Sequence, residues 1–350
     1  MVQDLSPRPR SVWLTGRRGL QYAISVLLTV LFLWIAFRGT DGPRLLASLR
    51  EANYWWIGLS FVCLLASHLV RAFRWRFLLD PIKPKIGLRH LFSGVMIGYL
   101  FNNVLPRAGE LVRPYVIGRL ERISKSSALG TIVVERIIDT FTFLFLVVLL
   151  PLVYDGPLLD SFPWLQRAGI VVTMVTGGGL AILVVFMVRR DWTDVVMRGM
   201  GRWLPAPFEM RLQRTVHAFL DGFLFLKNPA NFVVIILTSM VVWFLYILMV
   251  YVAFFAFGLG SLGLGAAVVV QTISSIGVAM PTPGGTGSYH VFTSQTLMKL
   301  FGVDPVVALS YATVTHAAGY IGVTIIGLYY FLHDQIGSAG MFAQKEGDDA

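Results

Sequence analysis

Charge is scarce in this chain of 350 residues. Asp, Glu, Lys and Arg make up 14% of it, against about a quarter in soluble domains. A surface that faces water on all sides cannot be built from so few, which excludes an ordinary soluble globular fold. From Asn228 to Met298 none of the four occurs. Cysteine is almost absent too: Cys63, inside an apolar run, stands alone, which excludes an intrachain disulfide and a cysteine-based zinc site. A usable dinucleotide fingerprint is also missing. Gly258, Gly260 and Gly263 spell G-x-G-x-x-G, but the run before them is far too long for a strand, and no acidic residue follows before Asp304, so the motif lacks its context.

What the sequence does have is apolar length. Apolar residues make up 56% of it, mean hydropathy is +0.70, and several runs reach the roughly 20 residues that a helix needs to cross about 30 Å of hydrocarbon. A membrane β-barrel would show alternating segments of about ten residues, whereas these runs are apolar on every face. The expected class is all-α, a polytopic helical membrane protein. The formal net charge of +10 could suggest nucleic acid, but the basic residues sit in short clusters beside apolar runs, where cytoplasmic loops carry them. No basic folded domain accompanies them, so no nucleic-acid partner is expected. Arg8, Arg10, Arg17 and Arg18 precede Leu20 to Phe37 without an Ala-x-Ala cleavage site after it, which reads as a retained signal-anchor with a cytoplasmic N-terminus.

Apolar segments fall near 20–37, 54–70, 88–105, 126–153, 168–188, 230–257, 265–282, 288–301 and 306–332. Arg71, Arg74, Arg76, Lys83, Lys85 and Arg89 mark one cytoplasmic loop, and the stretch from Arg189 to Lys227, with seven basic residues, marks another. The connection from Leu152 to Gln166 holds Asp155 and Asp160 and faces outside. Segment 88–105 leaves a cytoplasmic loop, yet Arg107, Arg113, Arg119, Arg122 and Lys125 follow it, so it re-enters rather than crosses. The same parity puts a second re-entrant hairpin between 230–257 and 306–332. The expected architecture therefore has two re-entrant broken-helix hairpins in an inverted repeat, a recurring transporter plan. Its parts are a basic cytoplasmic N-terminus (1–19), one transmembrane domain (20–332) and a flexible tail (333–350). Inside the domain lie repeat one (54–153), cytoplasmic amphipathic helices (190–227) and repeat two (230–332).

Three motifs carry chemistry. In the first, Asn102, Asn103, Pro106, Arg107, Gly109, Glu110 and Arg113 crowd the end of an apolar run. Pro106 and Gly109 break the helix, and broken backbone at membrane depth is tolerated only where it is buried or lines a cavity. A helix restarting after Gly109 would aim free N–H groups at an anion, with Arg107 and Arg113 adding charged donors. In the second, Pro283, Gly284, Gly285 and Gly287, followed by Tyr289 and His290, form a hairpin tip whose uncovered amides suit an anion-binding nest. In the third, Glu135, Arg136 and Asp139 lie ten or more residues into an apolar helix, where each charge facing lipid costs about 2.5–3.5 kcal/mol. Local pairing at helical spacing or a purely structural ion-pair cluster are both open. His68 and His316 read as packing residues, and Gly94 with Gly98 marks close helix packing.

In that order, N-N-V-L-P-R-A-G-E-L-V-R, E-R-I-I-D and P-T-P-G-G-T-G resemble the flippase-like transmembrane region of lysylphosphatidylglycerol synthases and its stand-alone bacterial and archaeal relatives, from about Leu20 to Leu332. The resemblance implies lipid translocation, with Asn103, Pro106, Gly109, Glu110, Arg113, Glu135, Arg136, Asp139, Pro283, Gly284, Gly285 and Gly287 at matched positions. Family members often carry glutamate where this chain has His290. No aminoacyltransferase domain follows Leu332, so the synthase activity is not expected to be inherited. The expected function is flipping of an anionic or phosphate-bearing lipid in the cell membrane, such as a phospholipid, an aminoacyl lipid or a polyprenyl-phosphate carrier. Neither catalytic residues, metal nor cofactor is expected. The partners are the lipid and the bilayer, with a homo-oligomer or a separate lipid-synthesis enzyme as further candidates. Two alternatives stay open: a membrane-embedded transferase acting on a lipid-linked substrate, and a scaffold for a separate synthase.

Overall fold

A computed structural model describes residues 12–156, 158–188, 215–217 and 229–334. The amphipathic region expected at 190–227 lies outside the described residues apart from 215–217, as does the tail beyond residue 334. The described chain is all helical. In order it forms α1 (Val12–Phe37), α2 (Gly42–Glu51), α3 (Tyr54–Leu79), α4 (Leu88–Val104), α5 (Gly109–Glu121), α6 (Lys125–Val153), α7 (Leu158–Ser161), α8 (Trp164–Val188), α9 (Pro229–Phe254), α10 (Gly263–Ala279), α11 (Ser288–Phe301) and α12 (Pro305–His333). Six of these stretches are long and apolar enough to cross a bilayer: Gly19–Phe37, Tyr54–Leu79, Lys125–Val153, Asn231–Phe257, Gly260–Ala279 and Pro305–His333. The chain is a multi-pass membrane protein.

Local chemistry fixes the helix ends. Asp41, Asn53, Ser124 and Asp304 cap α2, α3, α6 and α12 by accepting backbone N–H bonds with their side chains, which satisfies donors that the first turn leaves free. Helix α4 stops where Leu105 turns extended ahead of Pro106, as expected of a residue before proline. Helix α5 ends on Arg122 and α11 on Gly302, both left-handed.

The order long helix, broken hairpin, long helix occurs twice, as α3–α4/α5–α6 and α9–α10/α11–α12. Helices α3 and α9 run antiparallel: Asn53 N donates to Ala256 O at 3.0 Å, Ser60 Oγ to Met249 O at 2.9 Å and Arg74 Nη1 to Ser239 Oγ at 2.8 Å. Helix α4 lies antiparallel to α12, from Arg89 beside Asp334 to Asn103 beside Tyr320. The counterpart of that pair is α10 against α6, where Gly265 abuts Val153 O and Val269 packs with Leu150.

Both ends of each hairpin meet one end of the bundle. Near the start of α4, His90 hydrogen-bonds Glu121 at the end of α5, and Lys83 Nζ donates to the same carboxylate at 2.7 Å. At the opposite end, Tyr154 OH donates to Leu300 O near the end of α11 at 3.1 Å, close to where α10 begins. The two tips meet between these ends. Arg107 Nη2 donates to Ala279 O at 3.2 Å, and a Cβ on Gly284 would stand 2.6 Å from Asn103 Oδ1.

Two differences from the sequence reading matter. The segment expected to end at residue 70 continues as α3 to Leu79, so Arg71 and Arg74 are interior helix residues rather than part of a loop. Buried acidic partners on α6 make that continuation possible. The short helices α2 and α7 were also absent from the reading, because each is shorter than the window in which apolar periodicity shows.

Candidate functional site

Helix α6 supplies two carboxylates one turn apart, Glu135, which is fully buried, and Asp139, nearly so. Four arginines from three helices close on them. Arg71 Nη1 donates to Glu135 Oε1 and to Asp139 Oδ2, both at 2.7 Å, while its Nη2 donates to Tyr246 OH at 3.2 Å. Arg74 Nη2 donates to Asp139 Oδ1 at 2.7 Å. Arg113, from α5, binds Glu135 through both terminal nitrogens, at 2.8 and 3.0 Å, and its guanidinium lies 4.4 Å from the centroid of the Trp75 ring. Trp75 is itself fixed by Nε1 donating to Thr131 Oγ1 at 2.9 Å. Arg136 Nη2 reaches Glu135 Oε1 at 2.8 Å and Asp139 Oδ2 at 3.2 Å.

Of the four guanidinium side chains, Arg136 alone is substantially open, at 41% exposed, against 5% for Arg71, 0% for Arg74 and 7% for Arg113. The Nε–H groups of all four are buried without a partner among the described residues. Buried polar groups in folded proteins are nearly always satisfied. The cluster is therefore rich in both positive charge and donors.

The sequence reading named Arg113, Glu135, Arg136 and Asp139, and the structure brings all four together. It missed Arg71 and Arg74. Their signal was present: three residues apart, they share a helix face, directly after an unbroken apolar run. The positive-inside pattern outweighed that spacing.

The first motif divides. Asn102 Oδ1 accepts the Gly109 N–H at 2.7 Å, so the amide expected to face an anion is capped by the preceding helix. Asn103 Nδ2 donates to Thr324 Oγ1 at 2.9 Å, and Tyr320 OH donates to Asn103 O at 2.9 Å. Half-buried Pro106 and exposed Arg107 form the turn, with Arg107 in the left-handed region at φ 61°, and Glu110 stands half-buried in the first turn of α5.

In the second motif two of the three glycine amides, those of Gly285 and Gly287, are also engaged. Pro283 opens a 3-10 turn in which Gly285 N–H donates to Thr282 O at 3.1 Å. Gly287 N–H donates to His290 Nδ1 at 3.4 Å, and a Cβ on Gly287 would stand 2.8 Å from Thr29 O of α1. Tyr289 OH pairs with Thr315 Oγ1 at 3.1 Å. His316 Nε2 lies 3.1 Å from Gly284 O, with its ring 4.8 Å from that of His290. Gly94 and Gly98 do mark close packing: a Cβ on Gly94 would stand 3.2 Å from the Trp75 ring, and one on Gly98 would stand 2.5 Å from Arg113 Cγ. The first tip is mechanically joined to the charge cluster, because Gly109 belongs to the tip and Arg113, one turn on, to the cluster.

Residues 22–327 match the family described as the lysylphosphatidylglycerol synthase TM region. The chain belongs to that family. A UPF0104 membrane protein of Methanothermobacter thermautotrophicus is 30% identical over 298 residues, 80% of this chain and 86% of that protein. The UPF0104 membrane protein MJ1595 of Methanocaldococcus jannaschii is 26% identical over 332 residues, 87% of this chain and 92% of its own length. Glycosyltransferase AglD of Haloferax volcanii is 25% identical across 93% of this chain but only 55% of AglD. No solved structure matches.

Proposed function

We propose that the chain translocates an anionic, phosphate-bearing lipid across the cell membrane, with Arg136 as the entry to the binding site and Arg71, Arg74 and Arg113 behind it. One observation carries this reading: four guanidinium groups, three of them on helices long enough to span a bilayer, face two buried carboxylates, and one of the four stays open. Glu135 lies about 15 Å of helix from the start of α6. Uncompensated charge there is expensive, and an anionic headgroup supplies what is missing.

The hairpin tips supply the moving parts. Asn103, Pro106, Arg107 and Gly109 on one side and Pro283, Gly284, Gly285, Gly287, Tyr289 and His290 on the other form the contact that must part and re-form as the site opens to each leaflet in turn. The hairpins re-enter the membrane and the N-terminus is cytoplasmic. Tails stay in lipid while the headgroup passes the arginines, and no bond is made or broken, so the chain is not an enzyme. Its partners are the lipid and the bilayer.

A second reading, a transferase acting on a lipid-linked substrate, is favoured by the likeness to a protein named glycosyltransferase. The matched stretch is about half of that protein, and such chemistry needs a metal or a free general base, whereas Glu135 and Asp139 are held in ion pairs. The deciding experiment reconstitutes the purified chain in liposomes with fluorescent phosphatidylglycerol and, in parallel, fluorescent phosphatidic acid. Leaflet exchange should accelerate, and Arg136→Gln should slow it. Liposomes that exchange lipid no faster than protein-free ones would overturn translocation.

A further inference from the structure

The charge balance of the arginine cluster and a groove further along α6 narrow the ligand. Arg71, Arg74, Arg113 and Arg136 against Glu135 and Asp139 leave a formal excess of two positive charges. The other side chains that hydrogen-bond these arginines, Tyr246 and Ser239, are hydroxyls. A phosphodiester brings one negative charge and leaves one positive charge uncompensated in a poorly hydrated interior. A phosphate monoester brings close to two, with three strong acceptor oxygens. Four buried Nε–H donors without partners surround the same carboxylates, which favours the group with more acceptors.

The second observation concerns the tail. A cavity of about 640 Å³ opens between α6 and α8, lined on α6 by Leu144, Val147, Val148 and Pro151 and on α8 by Ile170 and Met174. Val147 stands eleven residues after Arg136, which is three turns of helix, or about 16 Å along the same face. The first α6 residue that lines the groove, Leu144, stands eight residues, about 12 Å of helix, beyond Arg136, a span that the hydrocarbon chain of a lipid held at Arg136 can cover. A free anion has no use for that groove.

Resting on the translocation reading, we propose that the ligand is a lipid bearing a doubly charged phosphate monoester, its headgroup in the arginine cluster and its hydrocarbon chain in the α6–α8 groove. The test uses the full chain in detergent micelles, at a pH where the monoester is doubly ionised. Three probes are titrated: phosphatidic acid, phosphatidylglycerol and inorganic phosphate. Phosphatidic acid should bind about tenfold or more tightly than phosphatidylglycerol, the size of one added charge-assisted contact.

Arg136→Gln removes one charge and should bring that ratio close to one. Ser239→Asp sets a carboxylate against Arg74 without touching an arginine, and it should compress the ratio in the same way. Val147→Trp should weaken phosphatidic acid while leaving inorganic phosphate unchanged. Equal affinity for both lipids in the wild type overturns the monoester assignment and leaves translocation standing if exchange is still accelerated. Inorganic phosphate binding as tightly as phosphatidic acid overturns the lipid assignment. A ratio that survives both Arg136→Gln and Ser239→Asp shows that charge balance is not its source and overturns the proposal.

Discussion

Arg113 closes on Glu135 through two parallel hydrogen bonds, Nη1 to Oε1 at 2.8 Å and Nη2 to Oε2 at 3.0 Å, and so ties the second arm of the first hairpin to α6. Both side chains are buried. Without Arg113, Arg71 and Arg136 still hold Glu135 Oε1, but Oε2 loses its hydrogen bond in a buried place, so Arg113→Ala should destabilise the protein by about 1–3 kcal/mol. Arg113→Lys should recover only part of that, because an ammonium cannot reproduce the two-pronged geometry. Thermal unfolding of the purified variants in detergent checks both. A stability within error of wild type for Arg113→Ala would mean that the pair does not hold the hairpin.

The two glycines beneath that ion pair give a second prediction. A Cβ on Gly109 would stand 2.1 Å from Gly98 O, backbone against backbone. Gly109→Ala should therefore force the arms of the hairpin apart and cost about 1–3 kcal/mol. Gly58, inside α3 and exposed, would meet nothing within 4 Å, so Gly58→Ala should be neutral or stabilising by up to about 1 kcal/mol. Melting temperatures of the two variants should move in opposite directions, or at least by very different amounts.

The long helices were legible because their signal is apolar length, which the membrane itself demands. Both hairpins were legible because Pro106, Gly109 and the run from Pro283 to Gly287 cannot continue a helix. The charge cluster was half legible. Glu135, Arg136 and Asp139 stood out as charges deep in an apolar run, whereas Arg71 and Arg74 lay at the end of one and read as a loop. Their three-residue spacing put them on one helix face, but an arginine snorkelling to the surface and one turned inward toward α6 share that local sequence, so the tertiary partner decides between them. The use of the tip amides was illegible for a similar reason. Asn102 caps Gly109 from seven residues away, across a turn whose geometry no single-residue preference specifies.

The end of the bundle that holds Lys83, His90 and Glu121 gives a pH prediction. Partial burial pushes the Glu121 carboxyl up, but hydrogen bonds from Lys83 and His90 outweigh it and hold the group below the usual carboxylate range. A carboxylate depressed by folding contributes stability above its unfolded value of about 4.3 and loses it as pH falls through the lower folded value. Melting temperature should therefore fall on acidification below about pH 4, and Glu121→Gln should lose that part of the dependence while starting less stable at neutral pH. An unchanged acid profile in Glu121→Gln would assign the effect elsewhere.

Topology is testable because hairpin ends share bundle ends. Lys85 and Arg122 are exposed near the Lys83–Glu121 pair, and Ser261 and Asp304 are exposed near the opposite end, where Arg44 Nη2 meets Asp304 Oδ2 at 3.3 Å. In a Cys63→Ser background, single cysteines at Lys85 and Arg122 should both react with an impermeant maleimide from the cytoplasmic side, and those at Ser261 and Asp304 both from outside. A split within either pair would show that the corresponding hairpin crosses the membrane.

The meeting of the tips sets the last prediction. Arg107 reaches the carbonyl of Ala279, Tyr320 donates to the Asn103 carbonyl, and His316 holds the Gly284 carbonyl, so α12 bridges the two tips. If a headgroup passes between them, those contacts break and re-form in every cycle, and a covalent link across them must stop transport without unfolding the protein. In the Cys63→Ser background, cysteines at Arg107 and Ala279 joined by a short bismaleimide should reduce lipid exchange to the rate of empty liposomes, while the melting temperature holds or rises. The uncrosslinked double variant supplies the control for loss of the Arg107 hydrogen bond. Should the linked protein exchange lipid as fast as the unlinked one, the headgroup does not pass between the tips, and the route must instead follow the outer face of α6 past Arg136.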